Sequence, residues 1–184
     1  MMFRVTKLLL YFIFALFSIG FIIYLLLPDP GFPPQLPNSL ISPEPADRAF
    51  SFRPAYFIYA NRTETLEYYQ KYFSTSPFKG ILLPTYRLNY PPEESSLLVR
   101  DHMYSSYLEE IVHPFRESIF INGFRPTRPQ DDIRIYGIHY DEKITLKHVS
   151  SSVFPRISLG IFTLATLFVV FRELFQSVTV LFRK

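Results

Sequence analysis

An uncharged run of twenty residues near the N-terminus limits the folds open to this chain more than any other feature. Residues 8–27 read LLLYFIFALFSIGFIIYLLL. At about 1.5 Å per residue, a helix of that length spans the roughly 30 Å hydrocarbon core of a bilayer. We therefore predict a transmembrane helix at residues 8–27, after a cytoplasmic tail at residues 1–7. The alternative is a cleaved signal peptide, but the run is long for one and no small-residue cleavage site precedes the sequence LPDPG.

A second apolar run predicts a second membrane helix near the C-terminus. Residues 157–171 read ISLGIFTLATLFVVF, which is short for a span. Arg156 and Arg172 flank the run, and their long side chains could reach the headgroups and make up the missing length. The alternative is a buried helix of the soluble domain, but the run has no polar face.

The last thirteen residues, 172–184, predict a basic amphipathic tail in the cytoplasm. Their apolar side chains recur at helical spacing and share one face: Leu174, Phe175, Val178, Leu181 and Phe182. In the alternative interpretation the second membrane helix continues through this segment, and Arg172 and Glu173 pair at the membrane boundary.

The charge distribution predicts the orientation of both helices. The two flanks carry five basic residues and one acidic residue, whereas residues 28–156 carry fourteen basic and fifteen acidic residues. Basic flanks stay on the cytoplasmic side of a membrane. We therefore expect both termini in the cytoplasm and residues 28–156 outside, at a plasma or inner membrane or, alternatively, in the lumen at the ER membrane. The middle segment lacks a basic stripe with interleaved aromatics, so we predict no nucleic-acid partner.

The middle segment divides into a spacer and a folded domain. Eight of the sixteen prolines lie in residues 28–54. Because proline fixes φ and lacks an amide hydrogen, residues 28–53 are expected to be an extended, proline-rich spacer. Residues 54–150 mix apolar strand patterns with one clear helix, and they predict a small α+β domain.

The first half of this domain predicts a β-α-β-α order. The run AYFIYA at residues 55–60 is typical of a buried strand. Asn61 and Glu64 form a capping-box pattern for a helix at residues 62–74. Asn61 also begins a glycosylation sequon, but a capping Asn uses its side chain at the helix end. A strand at residues 81–90 and a helix from Pro91 to about residue 104 follow.

The second half predicts antiparallel strands and hairpins, with both helices on one face of the sheet. The segment YLEEIVH alternates from residue 107 until Pro114 breaks it. Asn122-Gly123 is typical of a type I′ hairpin turn. Two further strands, around Ile133 and Ile144, are expected on either side of a turn at residues 141–143.

Few residues in the chain suggest catalysis. It has no cysteine, which excludes disulfides, zinc-thiolate sites and a cysteine nucleophile, and it contains no phosphate-loop, dinucleotide or hydrolase motif. The weak candidates are four residues in one charged stretch: His102, Glu110, His113 and Glu117. Asp101, Glu109 and Arg116 lie in the same stretch.

Glu110 and His113 have the Glu-x-x-His spacing of helical metal ligands. Pro114 argues against a helix there, because its ring would clash with the carbonyl of Glu110. In a strand, Glu110 and His113 would lie on opposite faces. We therefore predict no cofactor and no metal, and interpret this stretch as a solvated face with ordinary charge pairs. His139 and His148 stand alone in strand-like segments.

Three functions fit this pattern. The first is a non-catalytic interaction or assembly subunit of a cell-envelope or lumenal complex, whose partners are the bilayer and another membrane or envelope protein. The middle segment holds eleven of the thirteen tyrosines, a residue enriched at protein contacts. The alternatives are an extracytoplasmic ligand sensor and a membrane-tethered hydrolase or metal-dependent enzyme.

Overall fold

A computed structural model describes residues 2–49, 51–75, 82–99 and 105–181 of the chain. The chain divides into two compact units. The first unit comprises residues 1–28 and 151–184, and the second comprises residues 29–150. The predicted fold class is confirmed at the level of two long apolar helices and a domain that combines helices with an antiparallel sheet. The helices and strands, in chain order, are α1 (Met2–Leu26), β1 (Leu40–Ile41), α2 (Pro45–Arg48), β2 (Ala55–Ile58), α3 (Arg62–Ser74), β3 (Tyr86–Tyr90), α4 (Ser95–Leu98), β4 (Tyr107–Val112), β5 (Ser118–Phe124), β6 (Ile133–Ile135), β7 (Ile138–Tyr140), β8 (Glu142–Val149) and α5 (Val153–Leu181).

Helices α1 and α5 form the first unit and pack antiparallel. The ring centroids of Phe14 and Phe168 lie 5.7 Å apart, while Gly160 packs against Leu25 near the other end of the pair. A Cβ atom at Gly160 would lie 2.3 Å from the Leu25 Cδ1 atom, so glycine permits this close approach. Both helices are long and apolar enough to cross a membrane, over Val5–Leu26 and Val153–Val178.

The second apolar helix is longer than the predicted residues 157–171. It begins at Val153, and Arg156 is only 2% exposed. The Arg156 guanidinium donates to the backbone carbonyl of Leu27 at 3.1 Å and to the Ser151 hydroxyl at 3.2 Å. Helix α5 continues without a break through Arg172 and Glu173, which pair at 2.7 Å.

The domain is built on a six-stranded antiparallel sheet with the order β1-β2-β8-β5-β4-β3. Helix α3 begins with the predicted capping box: the Asn61 side chain accepts from the Glu64 amide at 3.1 Å, and the Glu64 carboxylate accepts from the Asn61 amide at 2.9 Å. Asn61 thus has the structural role that its position indicates.

Helix α3 covers one face of the sheet, and its buried side chains Leu66, Tyr69 and Phe73 enter the main core. The predicted arrangement of two helices on one face is wrong. Helix α4 has only four residues, and the neighbouring Val99 packs with Leu108 and Phe120 on the opposite face. The β6–β7 hairpin packs on that opposite face too, through a cluster made of Phe57, Phe124, Ile133 and Tyr140.

Two predicted turns are wrong. Asn122 and Gly123 lie inside β5, and the β4–β5 turn is instead at residues 113–117, where Phe115 has a φ of 62°. The expected turn at residues 141–143 is occupied by the start of β8. A two-residue turn lies earlier, between β6 and β7, where Tyr136 and Gly137 have φ values of 53° and 79° as a type I′ turn requires.

Other predicted segments are shorter or more ordered than expected. Of the strand predicted at residues 81–90, Tyr86–Tyr90 form β3, and residue 81 lies outside the described residues. The described part of the helix predicted from Pro91 consists of a 3-10 turn at Pro92–Glu94 followed by α4. Its expected end, residues 100–104, lies outside the described residues. The spacer at residues 28–53 is largely part of the domain, since it contains β1, α2 and the buried side chain of Leu36.

Candidate functional site

The structure separates the residues suggested by the Glu-x-x-His spacing. His102 lies outside the described residues. Glu110 lies in β4, on the sheet face opposite His113, and accepts a hydrogen bond from the Tyr90 hydroxyl at 2.7 Å. His113 and Glu117 come together at the β4–β5 turn, where the His113 amide donates to the Glu117 carbonyl at 3.1 Å.

His113 is buried among core groups. Its Nδ1 atom lies 2.9 Å from the Pro84 carbonyl oxygen, and its ring stacks on Phe73 with centroids 5.3 Å apart. Burial lowers the pKa of His113, since a charged imidazole would lose its hydration there. These contacts anchor the turn to helix α3 and favour a structural role.

The interpretation of this stretch as a solvated face is wrong at the turn, because Arg116 and Glu117 form a buried ion pair beside His113. The guanidinium and carboxylate are 2.8 Å apart, and both side chains are fully buried. A pair enclosed in this way cannot contact a substrate in solution. Among the described residues, no group of three or more His, Asp or Glu side chains is placed to hold a metal ion.

A second buried polar cluster lies between helix α3 and strands β4, β5 and β8. Glu109, only 2% exposed, pairs with Arg62 and with Arg87, the latter at 3.0 Å. The Tyr107 hydroxyl donates to Glu142, which is 1% exposed. Burial raises the pKa of the Glu142 carboxyl, while the hydrogen bond from Tyr107 and the nearby arginine charges act in the opposite direction.

Substituting glutamine for Glu142 is expected to stabilise the domain at neutral pH. The raised pKa means that the folded state keeps the carboxyl proton to a higher pH than the unfolded state. Its stabilising contribution is complete below the ordinary glutamate pKa and is lost as pH rises through the raised value. Glutamine keeps the shape of the protonated acid, so we expect a gain on the order of 1 kcal/mol at about pH 7 and little change at about pH 4.

The measurement is urea unfolding of the purified full-length protein in mild detergent. Unfolding is monitored by the near-UV circular dichroism of the tyrosines, since the chain has no tryptophan. The informative quantity is the difference in free energy of unfolding between variant and wild type at each pH. A difference that stays constant with pH would contradict the raised pKa.

An open cleft of about 590 Å³ lies where the loop after β5 meets the β6–β7 hairpin. Asp132 organises one wall, accepting from Arg134 Nε at 2.6 Å while its other oxygen lies 2.8 Å from His139 Nδ1. The hydrogen bond from Arg134 lowers the pKa of Asp132. The cleft is polar, and its lining includes three arginines: Arg125, Arg128 and Arg134.

His139 is a half-exposed strand residue, as the sequence indicated, but it is not isolated. Antiparallel pairing of β6 with β7 places Arg134 opposite His139. Asp132 precedes the hairpin and Asp141 follows it, so both carboxylates flank the imidazole. The signal in the sequence was the Tyr-Gly turn, which brings Asp-x-Arg and His-x-Asp side by side.

Strand β3 presents an open edge of the sheet. Among the residues that the structure describes, β3 pairs with β4 alone. On the face opposite α3, Tyr86 is 61% exposed and Leu88 is 45% exposed. An exposed apolar edge strand is a ready template for pairing with another chain, so β3 is a candidate protein interface.

No protein-family model, no curated protein and no solved structure matches this chain.

Proposed function

We propose that this chain is a two-pass membrane protein that acts as a non-catalytic interaction or assembly subunit of a membrane complex. Both termini lie in the cytoplasm, and residues 28–156 lie outside, at a plasma or inner membrane or, alternatively, at the ER membrane. The antiparallel packing of α1 and α5 supports two crossings with both ends on one side. The basic flanks support the cytoplasmic assignment.

The observation that carries the proposal is the open edge of β3. Soluble domains usually protect such edges with charges, proline, a bulge or a very short strand. The opposite edge of the sheet follows this rule, since β1 has two residues. Strand β3 has five residues, no proline and one charge, Arg87, which is paired with Glu109 of the same chain. Its exposed Tyr86 and Leu88 are therefore best explained as a contact surface.

The test introduces a charge at this edge. We expect Leu88→Lys to remove a stoichiometric partner from the tagged full-length protein purified from its native membrane in gentle detergent, because a lysine blocks apolar edge pairing. The matched control is Ile138→Lys in β7, a strand residue that is 50% exposed and lies away from β3. We expect this control to keep its partner.

The proposal fails if Leu88→Lys keeps the same stoichiometric partner as wild type while both variants retain the wild-type circular dichroism spectrum. Loss of the partner in both variants would also contradict it, because the binding surface would then not be specific to β3. Stoichiometry is read by mass spectrometry of the purified complex.

A ligand sensor is the second candidate function, and the cleft beside His139 is the observation that favours it. The three arginines of its lining suit an anionic ligand. A hydrolase has weaker support, since His113 and Glu117 are buried in the core and Glu110 lies on the other face.

A further inference from the structure

We propose that the occupant of the β3 edge is β3 of a second copy of this chain, paired antiparallel about a two-fold axis at Leu88. This inference rests on the proposed function, because it names the partner of the same edge. The two sheets would join into one continuous antiparallel sheet of twelve strands, six from each copy.

The sequence of β3 is self-complementary. The strand reads YRLNY, and on the face opposite α3 its side chains are Tyr86, Leu88 and Tyr90. This row is the same in both directions. In antiparallel pairing about Leu88, Leu88 faces Leu88 of the second copy and each Tyr86 faces Tyr90 of the other. Aromatic and aliphatic pairs of this kind stabilise antiparallel sheets.

The positions of Arg87 and Pro91 favour an axis at Leu88 over the two adjacent registers. A two-fold axis at Arg87 would place two guanidinium groups opposite each other, which is unfavourable. An axis at Asn89 would place Arg87 opposite Pro91, which has no amide hydrogen to donate. With the axis at Leu88, Arg87 faces Asn89 of the second copy, and no like charges meet.

The exposure of the row fits a two-fold contact. Tyr86 is 61% exposed and Leu88 is 45% exposed, whereas Tyr90 is half-buried and held by its hydrogen bond to Glu110 at 2.7 Å. Each copy therefore offers a fixed tyrosine at one end of the row and an exposed tyrosine at the other. Pairing about Leu88 brings each exposed ring against a fixed one.

The test uses the absence of cysteine from the chain, so that one introduced cysteine is the only thiol. Full-length protein carrying Leu88→Cys is treated in its native membrane with a short bis-maleimide crosslinker. Residues directly opposite in an antiparallel pair have Cβ atoms about 4.5–5.5 Å apart, within reach of this reagent. We expect more than about half of the protein to run as a covalent dimer. The control Ile138→Cys should stay largely monomeric.

A second measurement tests the register. Copies carrying Arg87→Cys and copies carrying Asn89→Cys are expressed together and oxidised, because a disulfide requires Cβ atoms about 3.5–4.5 Å apart, whereas a bis-maleimide would also bridge diagonal neighbours about 7–8 Å apart. A disulfide is expected only between the two kinds. A disulfide between two Arg87→Cys copies would overturn the Leu88 register. An absence of dimer from Leu88→Cys in folded protein would overturn self-pairing altogether.

The outcome is separable from the test of the proposed function. If Leu88→Cys gives no dimer but Leu88→Lys still loses a stoichiometric partner, the edge binds a different protein and only the self-pairing fails. If Leu88→Cys dimerises but Leu88→Lys keeps its partner, self-pairing stands and the assembly role of this edge fails.

Discussion

Replacement of Gly123 by alanine is expected to remove a large part of the stability of the domain. A Cβ atom at this position in β5 would lie 2.2 Å from two ring atoms of Tyr107 and 2.6 Å from the Glu142 Oε1 atom. The Tyr107 ring would have to move, and overpacking of this kind costs about 1–3 kcal/mol. The movement would also break the hydrogen bond from Tyr107 to the buried Glu142.

Loss of that hydrogen bond leaves a buried carboxyl group without its donor, which costs about another 1–3 kcal/mol. We therefore expect Gly123→Ala to lower the free energy of unfolding by about 2–6 kcal/mol, a large part of the 5–15 kcal/mol typical of a domain. The measurement is urea unfolding of the full-length protein in detergent, followed by near-UV circular dichroism.

Gly137→Ala is the matched control for this substitution. Gly137 lies in the β6–β7 turn with a φ of 79°, and a Cβ atom there would meet nothing within 4 Å. The free energy of unfolding should then fall only by the cost of placing alanine in a left-handed backbone conformation, about 1–2 kcal/mol. If Gly123→Ala costs no more than Gly137→Ala, the close approach of Tyr107 to the β5 backbone is not what holds this part of the core together.

The same glycine explains why the sequence misplaced a hairpin. Asn-Gly fits a type I′ turn by local conformation, which is all that a short motif reports. In the fold, the Tyr107 ring lies against the Gly123 backbone and leaves no space for a side chain there. The Asn122 side chain, on the other face, accepts a hydrogen bond from the Ser105 hydroxyl at 2.5 Å. Both requirements come from strands that are distant in sequence, so tertiary packing overrode the local preference.

Two sequence patterns that depend only on neighbouring residues predicted the corresponding structure correctly. The capping box at Asn61 and the two apolar helices depend on residues close in sequence, and the structure contains both features, with the second helix longer than predicted. The surroundings of the candidate residues needed long-range information. His113 is buried against Phe73 and Pro84, which lie in distant parts of the chain, whereas Asp132 and His139 meet across the short β6–β7 hairpin. Spacing along the chain could not distinguish a buried pair from an open cleft.

Replacement of Arg116 by methionine is the second substitution expected to have a large effect. The Arg116 guanidinium lies 2.8 Å from the Glu117 carboxylate, and both side chains are fully buried. Removing the cation would leave a buried carboxylate without its ion-pair partner, which typically costs about 3–5 kcal/mol. Arg134→Met is the matched control, because Arg134 pairs with Asp132 at 2.6 Å on the surface. Water and salt screen an exposed pair, so we expect this control to lose little stability.

A double variant separates the charge effect from the loss of packing. In Arg116→Met with Glu117→Gln, both charges of this pair are removed, and we expect recovery of at least about 2 kcal/mol of the free energy of unfolding relative to Arg116→Met alone. If the double variant is as unstable as the single one, the cost comes from the packing of the arginine stem. If Arg116→Met costs no more than Arg134→Met, Glu117 is not held by a buried ion pair.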